Sequence, residues 1–392
     1  MRTILKPLLA VVLVGVVAWL GLWWYAQQQM QAGFIDWANG LSSGGDVQVS
    51  YDSIEHSGSP LAAMVTVNNL RLVVQPSPAA APLSITLPAF ALEIDAATPL
   101  LLHFVLPNRI DVSAERGDFV LTFGSIAQTE RLDLSALLRR EPGPFAAMDT
   151  RAQNIDLLAS SGSLMVLHAD AYHAHSTFNR HAGAGQSLFA TSGALDNIAV
   201  SPLLTRLASI PFDGRVAHLG WNLNLNGPVP ADLPALAARY NAVAADDTDG
   251  RIRVMAQGLH DWAARGGSGD AGLDLAIGPS TLHAAGDMAF DSKVQPQGHA
   301  NLSADHLDAF SAAITAAYPQ VQGTVNALEA KLSPYLSSTP HGGQTLTFKA
   351  TYGNGAVMVN GQKVGDLPPL DWSQLETAPP PQAPGDGSGA AL

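Results

Sequence analysis

His168, His173, His175 and His181 fall within one short stretch, with Asp170 and Tyr172 between them. Imidazoles and carboxylates are the side chains that hold zinc. Read as a strand, the segment 164–178 puts His173 and His175 on one face, the spacing that neighbouring zinc ligands use. The same reading puts His168 and Asp170 on the other face, and only a bulge or turn reunites the group. His173 and His175 are thus the metal candidates, set against the alternative of exposed or hydrogen-bonded histidines.

Three further spacings could do chemistry. Gly40-Leu41-Ser42-Ser43-Gly44 matches the G-x-S-x-G nucleophile elbow, but that elbow needs a strand before the serine and a helix after it, and here the order is reversed. Gly267, Gly269 and Gly272 match a dinucleotide loop, yet a strand follows them where a helix is required. Asp247, Asp249 and Gly250 resemble the start of a calcium loop that lacks its first aspartate and its closing glutamate. There is no H-E-x-x-H helix and no Walker loop, and the chain has no cysteine, which removes thiol nucleophiles and thiolate metal sites. The reading is therefore no catalytic residue, no cofactor and no enzyme, with an envelope hydrolase kept as an unfavoured alternative.

The elements that would carry such residues are mostly strands. Val47, Val49 and Tyr51 alternate with polar neighbours, as do Leu83, Ile85 and Leu87. Ile110 and Val112 lead through Arg116-Gly117-Asp118 to Phe119, Leu121 and Phe123, a hairpin pattern. Trp221, Leu223 and Leu225 face one way while Asn222, Asn224 and Asn226 face the other; Leu273, Leu275 and Ile277 repeat the alternation. Asn360-Gly361 marks a tight turn. Strands with one wet and one dry face pair antiparallel more often than parallel. Short helices are expected at 135–140, from Ser201-Pro202 to about Ser209, after Asp232, and from Ser303 or Asp305 to Pro319.

From Leu8 to Ala26 no residue is charged, about 19 residues against the ~20 that cross a bilayer as a helix. Arg2 and Lys6 precede the run, and Trp19, Trp23, Trp24 and Tyr25 cluster toward its far end, where aromatic rings settle at headgroup level. No Ala-x-Ala cut site follows. The run reads as an uncleaved signal anchor, N-terminus in the cytoplasm and the bulk outside the inner membrane. Met30, Phe34, Trp37 and Leu41 continue as a juxtamembrane helix that Gly40–Gly45 breaks. The divisions expected are 1–7 cytoplasmic, 8–26 spanning, 27–45 helix and loop, 46–228 and 229–376 two β-rich halves, and 377–392 a disordered Pro/Gly tail. A net charge of −13 argues against nucleic acid.

Several segments in order carry a family resemblance. They are the Trp-rich anchor leading to Trp37-Ala38, Val49-Ser50-Tyr51-Asp52-Ser53-Ile54, Leu273-Asp274-Leu275-Ala276-Ile277-Gly278-Pro279, Ala285-Gly286-Asp287-Met288, Pro296-Gln297-Gly298-His299 and Val359-Asn360-Gly361-Gln362-Lys363-Val364-Gly365-Asp366-Leu367. Together they resemble an alphaproteobacterial membrane-anchored family known as domain of unknown function 2125, whose Gly-Tyr/Phe-Pro is Gly58-Ser59-Pro60 here. The closing stretch is distantly similar to AsmA-like envelope proteins, for which a lipid-guiding β groove is proposed. The resemblance supplies no activity and no site residues.

The fold expected is mainly β, with large twisted antiparallel sheet and a few amphipathic helices. The apolar strand faces outnumber the helical stripes that could cover them. Either two sheets close as a sandwich that binds another envelope protein, or one sheet curls around an apolar trough holding a lipid or other amphiphile. The trough wall would include Trp221, Leu223, Leu225, Leu273, Leu275 and Ile277. The partners implied are the inner-membrane bilayer and either that lipid or an envelope protein.

Overall fold

The computed structural model describes residues 2–43, 47–59, 61–75, 81–115, 117–139, 141, 144–159, 164–229, 233–244, 247–338 and 343–373, with side chains from Trp19 onward except at 233, 234 and 237. The expected cap at Asp232 and the tail at 377–392 lie outside these residues.

Among the described residues eighteen strands form one hydrogen-bonded sheet. They are β1 (Val47–Ser50), β2 (Ser53–Ser59), β3 (Ala62–Val74), β4 (Leu83–Asp95), β5 (Leu101–Val105), β6 (Arg109–Ala114), β7 (Gly117–Leu132), β8 (Phe145–Ala159) and β9 (Met165–Phe178). They continue with β10 (Ser187–Val200), β11 (Arg215–Asn226), β12 (Ser268–Ile277), β13 (Ser280–Phe290), β14 (Pro296–Asp305), β15 (Leu336–Ser338), β16 (Gln344–Gly353), β17 (Ala356–Val359) and β18 (Gln362–Asp366). Every pairing is antiparallel, and from β7 to β14 each strand pairs with the next in the chain. The short pieces share partners: β1 and β2 both pair with β3, β5 and β6 lie between β4 and β7, and β14 and β15 both pair with β16. Among the described residues β18 pairs only with β17, and β1 and β2 only with β3, so the sheet is an open meander. The sequence seam at 228/229 falls in the connection between β11 and β12, which pair with each other.

Seven α-helices accompany the sheet among the described residues: α1 (Arg2–Ser43), α2 (Leu134–Arg139), α3 (Pro202–Leu207), α4 (Leu233–Ala242), α5 (Thr248–Ala264), α6 (Leu307–Ala317) and α7 (Gln322–Leu332). Two of them, α5 and α7, are absent from the sequence reading. Asp247 is the N-cap of α5, its Oδ1 accepting from Gly250 N at 2.7 Å, so the calcium-like aspartates open a helix. The Asn360-Gly361 turn forms as expected, with φ of 47° and 82° between β17 and β18.

α1 differs from expectation in two ways. It runs unbroken to Ser43, so Gly40 to Ser43 do not end it. Its packed stripe is Gln27, Met30, Phe34 and Ala38, whereas Trp37 and Leu41 are exposed. The rotation has two causes: Ala38 lets the helix lie close on β3, and Gln27 Nε2 donates to the carbonyls of Ser57 at 2.5 Å and Met64 at 3.2 Å. Around this stripe lies the largest apolar core, with Val65, Val67 and Leu70 of β3 and Leu87, Phe90 and Leu92 of β4. Among the described residues no helix is long and apolar enough to cross a membrane. The expected span 8–26 lies largely outside the described side chains, Leu8 included, while Trp19, Trp23, Trp24 and Tyr25 are described.

Candidate functional site

Direct cross-strand partners point to the same side of a sheet, so the register assigns every residue to a face. One row reads Leu195, Leu219, Leu275, Leu282, Ala304 and Leu346 across β10 to β16. The neighbouring row reads Gly193, Trp221, Leu273, Ala284, Leu302 and Phe348. On the first strands the same face carries Val67, Leu70, Phe90 and Leu87 beneath α1. This side is largely apolar on β3 and β4 and again from β11 to β16, while Gln128 and Glu130 of β7, Thr150 of β8, Ser176 of β9 and Thr191 of β10 interrupt it between them.

The trough candidates fall on that side. Trp221 pairs with Leu273 and stacks on Tyr172 at 6.2 Å, and Leu223 pairs with Ala271. Gly193 makes room for the Trp221 ring, because a Cβ there would sit 2.4 Å from it. Leu275 pairs with Leu219, and Ile277 lies two residues on. Leu225 sits at the end of the face, covered by Trp262 of α5 together with Phe178, Phe189 and Phe290. The helices pack toward the ends of this face: α1 over β1 and β3, α5 near the end of β13, and α6 near β13 and β16. Trp221, Leu223 and Leu275 are half-buried and Leu273 is 39% exposed, so the middle of the face is accessible.

One acidic group shares this apolar side. Glu130 of β7 lies opposite Leu102 of β5 and Met148 of β8 and is 9% exposed. Burial raises its pKa above the ordinary carboxylate value, against a smaller lowering by Gln128, whose Nε2 donates to Oε1 at 3.3 Å. Its Oε2 makes no hydrogen bond among the described residues. Nothing in the sequence pattern singled it out.

His168, His173 and His175 of β9 occupy the opposite, polar side, and His181 lies in the connection that follows β9. Left-handed Asn154 in β8 (φ 50°) and Asn197 in β10 (φ 52°) flank β9 at Asp170. There the inward alternation slips by one, with Ala169 and Tyr172 both facing in. The slip carries His168 to the same side as His173 and His175, which corrects the two-sided expectation. Each of several histidines directly faces an aspartate on the next strand: His175 Nδ1 lies 2.8 Å from Asp149, His218 Nδ1 2.7 Å from Asp196 and His299 Nδ1 3.1 Å from Asp287. His168 has carboxylates at both ring nitrogens, Asp156 at 2.6 Å and Asp170 at 2.9 Å. Those bonds, Asp156 first, hold its imidazole above the usual range, and His168 with Asn197 holds Asp170 below its own. His173 lies opposite Arg151 and Ala194. Among the described residues no three ligating groups converge on a metal position.

A serine, a histidine and an aspartate meet at α2. Ser135 Oγ lies 3.3 Å from His181 Nε2. Asp133, however, bonds the serine and not the imidazole: its Oδ1 accepts from Ser135 Oγ at 2.7 Å and from the backbone N–H of Ser135 and Ala136. These bonds, led by the Ser135 hydroxyl, lower the Asp133 pKa. The aspartate is a helix cap, so this trio lacks the carboxylate-to-imidazole contact of a triad.

A family model described as an uncharacterised protein conserved in bacteria, DUF2125, matches residues 23–368. The chain belongs to the DUF2125 family. No curated protein and no solved structure matches it. The matched range begins at Trp23, whose Nε1 bonds Ala62 O of β3, and ends at Pro368, just past β18. The family thus spans the whole meander with the packed part of α1.

Proposed function

We propose that this DUF2125 protein is a non-catalytic, membrane-anchored envelope protein that holds or passes a lipid or similar amphiphile along the apolar side of its meander. The observation that carries the reading is the apolar face of β11 to β16, half-accessible at Trp221, Leu223 and Leu273. A surface of that size exposed to water is disfavoured by about 25 cal/mol per Å², and acyl chains would cover it. The uncharged run 8–26 supports an inner-membrane anchor with the sheet on the periplasmic side. The distant similarity to alphaproteobacterial and AsmA-like envelope proteins belongs to the same reading.

The test places a photo-crosslinking residue at Leu223 or Leu273 of the full chain in cells, with Asn222 on the polar face as control. Radiolabelled phospholipid is expected to attach at 223 and 273 and not at 222. Capture of protein alone at 223 and 273 overturns the proposal and favours an assembly module.

A further inference from the structure

The register fixes which connections share an edge of the sheet. The β2–β3 turn, the β7–β8 connection with α2, and the β11–β12 connection with α4 and α5 all lie at one edge. α1 leaves the sheet at that same edge. Trp23 Nε1 donates to Ala62 O at 3.4 Å beside the β2–β3 turn, Gln27 bonds Ser57 and Met64 further in, and Ser42 Oγ accepts from Val49 N toward the far edge. The helix therefore continues N-terminally past the turn, and its exposed Trp19, Trp24 and Tyr25 form an aromatic collar there.

That edge is studded with large apolar side chains lacking cover. Leu61 at the β2–β3 turn is 67% exposed and Leu138 of α2 is 77% exposed. Ile252, Met255 and Leu259 of α5, at i, i+3 and i+7, make an outward stripe. At ~4.8 Å per strand these points stretch along roughly 35–40 Å of edge. Aromatic collars mark the depth of the headgroup layer, and short apolar helical stripes lie in that layer. Leu61 is level with the collar of α1, and α2 and α5 continue the line.

We infer that this edge is a bilayer-docking surface: Leu61, α2 and α5 rest in the outer headgroup layer beside the anchor, and the trough ends on lipid. The inference rests on reading α1 as the anchor. Because the chain has no cysteine, single sites can be labelled in the full-length protein. Leu138→Cys, Met255→Cys and, at the opposite edge, Leu207→Cys carry a fluorescent NBD label. Leu207 is 74% exposed, against 77% for Leu138 and 58% for Met255, so all three tolerate substitution and face water, and each label is read against its own value in the absence of vesicles. The chains are reconstituted into phosphatidylcholine–phosphatidylglycerol vesicles and floated. Labels at 138 and 255 are expected to be quenched at least twofold more by nitroxide on the acyl chains than the label at 207, and correspondingly less by aqueous iodide. Floated protein with all three labels equally open to iodide overturns the docking surface and leaves the anchor standing. Labels at 138 and 255 shielded from both quenchers indicate a protein partner or a second copy on the edge, and also overturn it. Protein that fails to float overturns anchor and docking together. Lipid crosslinking at 223 is read separately, so failure of the trough is distinct from failure of the edge. The Leu138→Asp/Met255→Asp double variant should float unchanged and crosslink less lipid at 223.

Discussion

Glu130 places a carboxyl on the apolar side of the sheet, with one oxygen lacking a hydrogen-bond partner among the described residues and burial holding its pKa up. A raised carboxyl pKa means the folded state binds its proton more tightly than the unfolded chain does. The fold is then at no disadvantage below the ordinary glutamate value of 4.5, and loses stability as the pH climbs from there through the folded value. Glu130→Gln keeps the shape and removes the charge. It should raise stability at pH 8 by removing the charge that burial disfavours, with no gain at pH 4, where both side chains are neutral. Urea unfolding at both pH values checks this, and an equal gain at both would reject the burial argument. The sequence conceals Glu130 because Gln128-Thr129-Glu130 reads as a polar stretch. By contrast Trp221, Leu223, Leu273 and Leu275 are legible, since strict alternation in a regular strand names its own face. His168 is not legible as a neighbour of His173, because the slip depends on left-handed asparagines in strands β8 and β10 on either side.

At the scale of elements, α1 shows how far a helical period carries. An apolar stripe over 30–41 is visible in the sequence, but its rotation is set by Ala38 and Gln27, which no hydrophobic count selects. Phe34 is 5% exposed and touches Trp37, Tyr51 and Phe90 through its ring, whereas Trp37 is half-exposed. Phe34→Ala should cost about 3–5 kcal/mol and Trp37→Ala under about 1.5 kcal/mol, read by thermal or denaturant unfolding. A loss at Trp37 as large as that at Phe34 would restore the stripe read from sequence, which includes both. α5 escaped the reading because its opening aspartates suggest a loop and Gly250 and Gly258 weaken its helical signal. Both glycines are there for close packing: a Cβ on Gly258 would meet Leu236 of α4, and one on Gly250 would meet its own cap.

The whole molecule is a row of neighbours. The α1 core lies on β3, β4 and β5, and the second cluster, around Trp262, lies on β9 to β13. Because pairing is local along the chain, cooperativity should fall off with distance as it does in repeat proteins. Phe34→Ala is therefore expected to speed amide hydrogen exchange in β1 to β5 while leaving β12 to β14 within a factor of two of wild type. Uniform acceleration throughout would mean a single cooperative unit. The general class, antiparallel and mainly β, is legible from alternation. That all eighteen strands join one sheet is not, because period two says which side a residue faces and nothing about which strand comes next.

An unclosed meander has no fixed circumference. A barrel must add strands in a way that satisfies tilt and stagger all round, whereas this sheet gains or loses a hairpin at ~10 Å apiece and disturbs only what stands beside it. Its breadth is a ruler written in hairpin number, and evolution can lengthen or shorten the distance spanned without redesigning either terminus.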